Sequence, residues 1–154
     1  LGGAKYPRLD NNCFKISYID VLAETIPKRM VSFAPSLFQS NPADFEVRST
    51  YRKLIRDFAH ATQGEWKPDS VRVFYRESDG VVTIHFEAFD QKYTWRVDQH
   101  EAIDRVGDEF FDHLFRLEAK QLSGMYYNLS ESAQARYAYL PKNMVPELSR
   151  LGIK

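Results

Sequence analysis

Three consecutive stretches of alternating polar and apolar residues lie between Ser70 and Asp98. They cover residues 70–76, 81–89 and 92–98, and the short segments between them are polar. Alternation with a period of two is typical of a strand with one buried face, and short polar connections favour antiparallel pairing. The sequence therefore predicts a three-stranded β-meander, or a larger sheet built around one.

The same alternation divides the side chains of the meander between two faces, because neighbouring residues of a strand point to opposite sides. The apolar face, which we expect to pack against helices, carries Val71, Val73, Tyr75, Val82, Ile84, Phe86, Ala88, Tyr93, Trp95 and Val97. The other face, which we call the polar sheet face, carries Arg72, Phe74, Arg76, Thr83, His85, Glu87, Lys92, Thr94, Arg96 and Asp98.

A helix is predicted before the meander. Asn41 is a suitable N-cap, Pro42 a suitable first helical residue and Gly64 a suitable stop. One face of this helix is an apolar stripe made of Val47, Tyr51, Leu54, Ile55 and Phe58. The remaining surface is expected to be a solvated charged face with Arg48, Arg52, Lys53 and Arg56.

A second helix is predicted after the meander, where apolar residues recur at helical spacing from Ile103 to Leu122. Gly107 could divide it, and Gly124 is placed to end it. The order is thus helix, three strands, helix. An antiparallel sheet with both helices on one face buries both apolar stripes, so we expect an α+β fold.

The flanks of this core are less regular. Residues 14–22 fit a strand by alternation and a helix by spacing, and this choice stays open. Residues 125–127 and 135–140 predict short strands that could extend the sheet at its edge, and Val145 and Pro146 predict a brief terminal helix. We expect one globular domain over 1–154, with an ambiguous flank at 1–40, a core at 41–124 and a C-terminal extension at 125–154 packed on the core.

Charge and cysteine content limit the class of protein. Lysine plus arginine equals aspartate plus glutamate, at 21 each, so only a local basic patch could attract nucleic acid or an acidic membrane. Cys13 has no intramolecular disulfide partner, which favours a reducing compartment, and we expect a cytoplasmic protein. The sequence shows no apolar run long enough for a membrane span, no metal-ligand spacing and no phosphate loop, so we expect no membrane association, no metal and no cofactor.

The leading functional hypothesis is a non-catalytic domain that binds another protein, in the manner of accessory or toxin-neutralising immunity proteins. The expected contact residues on the polar sheet face are Arg72, Phe74, Arg76, Lys92 and Arg96. The simpler interpretation is a solvated face stabilised by cross-strand charge pairs, or one covered by the terminal segments. An exposed sheet edge would also permit a homodimer.

The same basic residues leave RNA binding as an alternative, in which Phe74 would stack on a base. The helix, three-strand, helix order is similar to that of double-stranded RNA-binding domains, but the resemblance is limited to topology. Those domains carry basic residues at the start of their second helix, where this chain has Asp108, Glu109 and Asp112. Acidic groups repel phosphate, so nucleic acid is not the favoured partner.

An enzymatic alternative is a cysteine hydrolase or transferase. Cys13 would be the nucleophile, His85 the base and Asp98 the group that orients the histidine. The segment around Cys13, Asn12 to Phe14, resembles the cysteine segment of some cysteine proteases, and papain-like hydrolases combine such a thiol with a histidine. This hypothesis requires the Cys13 sulfur to lie within hydrogen-bonding distance of the imidazole.

Overall fold

The computed structural model describes residues 27–34, 36–38, 42–100, 102, 104–130 and 134–144. Within these ranges the helices and strands are, in chain order, β1 (Met30–Phe33), α1 (Asp44–Ala61), β2 (Asp69–Arg76), β3 (Val81–Ala88), β4 (Gln91–Asp98), α2 (Asp108–Gln121), β5 (Gly124–Asn128) and β6 (Ala135–Pro141). Short 3-10 turns cover Pro27–Arg29 and Lys142–Met144. The predicted α+β class is confirmed, whereas the predictions for residues 14–22 and for a helix from Val145 lie outside the described residues.

The predicted meander is present as an antiparallel sheet with the strand order β2-β3-β4, which we call the meander sheet. Tight turns join its strands, with Gly80 at φ +70° in the first, and Phe89 and Asp90 at φ +54° and +58° in the second. Positive φ values at both central residues suit the right-handed twist of a hairpin. The alternation of buried and exposed side chains follows the predicted faces.

Helix α1 packs its apolar stripe on the meander sheet, and all five predicted stripe residues are buried. The predicted start at Asn41 and Pro42 is wrong, because the helix begins at Asp44. Ala43 occupies the N-cap position in an extended conformation, and its carbonyl accepts the backbone N–H groups of Glu46 and Val47 at 2.9 and 3.2 Å. No side chain caps this end, but acidic residues in the first turn complement the helix dipole.

Helix α2 packs on the same apolar face of the meander sheet, beside β4, where its Phe110 ring lies 5.8 Å from that of Trp95. It begins directly after Gly107. The expectation of helix from Ile103 is wrong for residues 104–107, which form a turn and an extended N-cap instead. The helix ends because Leu122 is extended, and Gly124 lies in β5 rather than serving as the stop. A Cβ atom on Gly124 would lie 2.7 Å from the Leu140 carbonyl oxygen, so close strand packing is the reason for this glycine.

The two C-terminal strands are present, but they do not extend the meander. They form a second antiparallel sheet with the strand order β1-β6-β5, which we call the second sheet. Strand β1 was not predicted. Strand β6 is central because both of its neighbours are hydrogen-bonded to it, and this position buries Tyr137 and Tyr139. Burial of these large rings accounts for the separate sheet.

The two sheets share one apolar core. Phe58 of α1 is fully buried, and its ring centroid lies 5.3–6.4 Å from the rings of Phe33, Phe110, Phe111, Tyr126 and Tyr137. These rings come from α2 and from all three strands of the second sheet, β1, β5 and β6. Within the described ranges, no helix combines the length and apolarity that crossing a bilayer requires.

Candidate functional site

The polar sheet face lies on the side of the meander sheet away from the core. In one cross-strand row Phe74, Thr83 and Arg96 are neighbours, and in the adjoining row Arg72 lies opposite His85. Paired residues of neighbouring strands point to the same side, so the register places these side chains on one surface. Arg72, Phe74 and Arg96 are all exposed on it, so the described terminal strands do not bury these three side chains.

Phe74 is the unusual residue of this surface, because 52% of this large apolar side chain is exposed. Its ring meets the His85 imidazole edge-on, with centroids 5.7 Å apart. It also forms one wall of a shallow depression of about 280 Å³ that Arg76 and Arg96 line as well. Three of the five predicted contact residues are therefore neighbours, with Arg72 in the next row and Lys92 beyond it.

The basic residues of the polar sheet face differ in how far they are neutralised. Arg76 binds Asp79 through Nε at 2.8 Å and Nη2 at 2.5 Å, and this hydrogen bond holds the pKa of the Asp79 carboxyl below its usual value. Arg72, Lys92 and Arg96 form no ion pair with any residue that the structure describes. Three cations of this face are therefore available to an acidic partner.

The structure separates two members of the predicted catalytic trio. His85 pairs with Thr94 across the sheet, and its Nδ1 lies 3.1 Å from the Thr94 Oγ1. Asp98 pairs with Val81, four positions away, which corresponds to about 13 Å along the strands. Cys13 lies outside the described residues. The Asp98 carboxylate is thus not placed to orient the His85 ring, and the involvement of Cys13 stays a prediction.

A second candidate site is a cleft of about 840 Å³ beside the C-terminal half of α1. Helix α1, the segment that joins it to β2 and the 3-10 turn at Pro27–Arg29 form its walls. We call it the basic cleft, because its lining includes the basic side chains of Lys28, Arg52, Arg56, His60 and Lys67.

Local structure explains how these residues come together. Arg52 and Arg56 are one helical turn apart and therefore lie on the same side of α1. After the helix, Gly64 adopts φ +101° and the chain turns towards β2, which brings Lys67 to the cleft. The side-chain amide of Gln63 donates hydrogen bonds to the carbonyl oxygens of Lys28 at 3.1 Å and His60 at 3.0 Å, so it ties the 3-10 turn to the helix end.

The sequence did not predict the basic cleft, because the cations of α1 fit an ordinary solvated charged face. In the structure, Arg48 and Lys53 each pair with an aspartate four residues away in the same helix. Arg52 has no ion pair in the described part of the chain, and Arg56 only approaches Asp57, at 3.9 Å. Lys28 and Lys67 come from outside the helix, and no local pattern predicts that they join these arginines.

Among the described residues, no three His, Cys, Asp or Glu side chains converge in a group that could hold a metal ion. No protein-family model matches this chain. Searches of curated proteins and of solved structures also found no match. The functional argument therefore depends on the two surfaces described above.

Proposed function

We propose that this protein is a non-catalytic interaction domain that binds an acidic surface of another protein through its polar sheet face. The observation that carries the proposal is the exposed Phe74 ring on the same face as the cations of Arg72 and Arg96. Aromatic and arginine side chains dominate the binding energy of protein interfaces. Accessory proteins and toxin-neutralising immunity proteins exemplify this mode of action.

A hydrogen-bonded sheet is a suitable support for such a contact. The positions of Phe74 and its neighbours are set by the strand register, so binding does not have to order the backbone that carries them. The guanidinium groups of Arg72 and Arg96, which have no ion pair among the described residues, can form bidentate hydrogen bonds with carboxylates. Complementary charge of this kind accelerates association with the correct partner.

A protein partner fits this surface better than RNA. Glu87 lies opposite Lys92, and Asp98 lies in the row of Arg76, so carboxylates interrupt the positive charge along the face. Non-specific RNA binding favours a continuous basic track with several stacking rings. An exposed aromatic ring among side chains of mixed charge is typical of protein interfaces.

The test compares Phe74→Ser with Phe45→Ser. Phe45 is also an exposed phenylalanine, with 65% of its side chain accessible, but it lies on α1 and away from the polar sheet face. Proteins that co-purify with the wild type should be retained by the Phe45 variant and lost by the Phe74 variant. For one identified partner, Phe74→Ser should weaken binding about thirtyfold, the effect of a typical hot-spot residue.

Charge reversal on the polar sheet face provides a second test of the proposed function. Arg72→Glu and Arg96→Glu should slow association by roughly tenfold at low salt while the thermal midpoint changes little, because both side chains are exposed. The same partner affinity in all variants would remove the polar sheet face from consideration. Loss of the co-purified material on nuclease treatment would favour RNA instead.

A further inference from the structure

We propose that the basic cleft binds a small molecule that carries two or more phosphate groups. This site is separate from the polar sheet face and does not depend on the function proposed for that face. The proposal follows from the charge of the cleft, the hydrogen bonding of the helix end beside it, and its dimensions.

The described lining of the cleft is entirely basic or uncharged. It contains four side chains with a permanent positive charge, from Lys28, Arg52, Arg56 and Lys67, and no Asp or Glu. The whole chain has equal numbers of acidic and basic residues, so this accumulation is local. A cleft lined by one sign of charge raises the local concentration of the opposite ion.

Three of these four cations have no acidic partner among the described residues, and the fourth has only a long contact with a carboxylate that it shares. Lys28, Arg52 and Lys67 form no ion pair within the described part of the chain, and the carboxylate nearest to Arg56, that of Asp57, is shared with Lys53 at 2.5 Å. Arg52 and Arg56 also repel each other, since like charges four residues apart destabilise a helix. A bound anion would relieve this repulsion.

The carbonyl groups at the end of α1 do not neutralise the cations either. The Ala59 carbonyl accepts hydrogen bonds from the Thr62 backbone N–H at 3.1 Å and from the Thr62 hydroxyl at 2.7 Å. The His60 carbonyl accepts the backbone N–H and the side-chain amide of Gln63, at 2.9 and 3.0 Å. Uncharged donors therefore satisfy these oxygens, so the helix end does not occupy the lysine and arginine groups of the cleft.

The dimensions indicate a small polyvalent anion. A volume of about 840 Å³ lies in the range of ligand pockets, roughly 300–1,000 Å³. Arg52 and Arg56 have Cβ atoms about 5–6 Å apart, which allows each to contact a different phosphate of one ligand. Part of the remaining lining is apolar, including Ile55 and Val71, so it can accommodate an uncharged portion of the molecule.

The probe for the test is inorganic tripolyphosphate, titrated into the full chain at low salt and without divalent metal. Nitrogen–proton NMR spectra should show saturable shifts at Gln63, Gly64 and the Trp66 indole N–H, with a Kd at or below about 1 mM. Trp66 lines the cleft, and its Nε1 is buried without a hydrogen-bond partner among the described residues. The chain has two tryptophans, so a Trp95→Phe variant assigns the indole signals.

Matched variants separate the site from general charge attraction. Arg56→Gln and Lys67→Gln should each weaken tripolyphosphate binding by about fivefold or more, as expected for a charge-assisted contact on an accessible surface. Lys53→Gln removes the same charge from α1 outside the cleft lining and should change the Kd by less than about twofold.

Three results would overturn the proposal. They are the absence of saturable shifts in the cleft, an equal loss of affinity in Lys53→Gln, and shifts centred on the polar sheet face instead. Hexaglutamate provides a further comparison, because an acidic peptide could also be attracted to the cleft. Tighter binding of hexaglutamate than of tripolyphosphate would assign the site to acidic protein segments and refute the phosphate assignment.

Discussion

Replacing Phe58 with alanine should be among the most destabilising single changes in this protein. Its side chain is fully buried at the contact between α1, α2 and the second sheet. Five aromatic rings surround it at centroid distances of 5.3–6.4 Å. No neighbour can refill the space without leaving its own contacts, so the variant would keep a cavity.

The size of the effect follows from the burial. Truncation of a buried phenylalanine to alanine costs about 3–5 kcal/mol through lost transfer free energy and the residual cavity. The ring contacts place Phe58 towards the upper half of this range, since aromatic pairs stabilise beyond the area they bury. For a chain of this length, a loss of about 4 kcal/mol lowers the thermal midpoint by roughly 8–16 °C.

Urea unfolding followed by tryptophan fluorescence would measure the loss of unfolding free energy at the meander sheet, because Trp95 lies in β4. Hydrogen exchange of the β6 amides would measure it at the second sheet. Both probes should report the same loss of stability, because Phe58 belongs to one buried cluster that includes residues of both sheets. Phe45→Ala, on the exposed side of the same helix, should stay within about 0.5 kcal/mol of the wild type. A loss below about 1 kcal/mol, or one confined to a single sheet, would refute the argument for a common core.

Glu118 is 6% exposed and accepts the backbone N–H of Tyr126 at 2.7 Å, and burial raises the pKa of its carboxyl. Because the folded-state pKa is raised, the ionised Glu118 carboxylate lowers the free energy of unfolding above that pKa, and this loss disappears below the unfolded-state pKa. Glu118→Gln should therefore flatten the dependence of stability on pH between about pH 4 and 8. An unchanged pH profile would contradict a raised pKa for Glu118. Gly80→Ala should destabilise by about 2 kcal/mol or more in urea titrations, because φ is +70° and the new Cβ would lie 2.4 Å from that of His100. Gly64→Ala is the control, with positive φ but a nearest contact of 3.6 Å, and an equal effect in both variants would exclude crowding as the cause.

The parts of the fold that sequence reasoning predicted correctly are those with a local signal. Alternation in residues 70–98 assigned the faces of the meander sheet, and the helical spacing of Val47, Tyr51 and Phe58 identified the buried side of α1. In both cases the burial of each residue repeats with the period of its own backbone. The exposed surface around Phe74 could therefore be located without coordinates.

The parts that were missed depend on contacts between distant segments. Strand β1 has four residues and no strong alternation, and it is stabilised by pairing with β6. The prediction that Gly124 ends a helix is wrong, because the close approach to Leu140 that requires glycine is not visible in the local sequence. The basic cleft was missed for the same reason, since Lys28 precedes α1 and Lys67 follows it in the sequence.

The pairing of β1 with β6 has a consequence for synthesis on the ribosome. Val31 pairs with Tyr137, so β1 emerges about a hundred residues before its partner strand exists. At translation rates of about 5–20 residues per second, that interval lasts on the order of 5–20 s. The meander sheet and the two helices can fold during this time, whereas β1 lacks its partner strand β6. During synthesis the second sheet therefore cannot close before β6 has emerged, and a truncated chain that ends before β6 would leave β1 as an open edge for pairing with other chains.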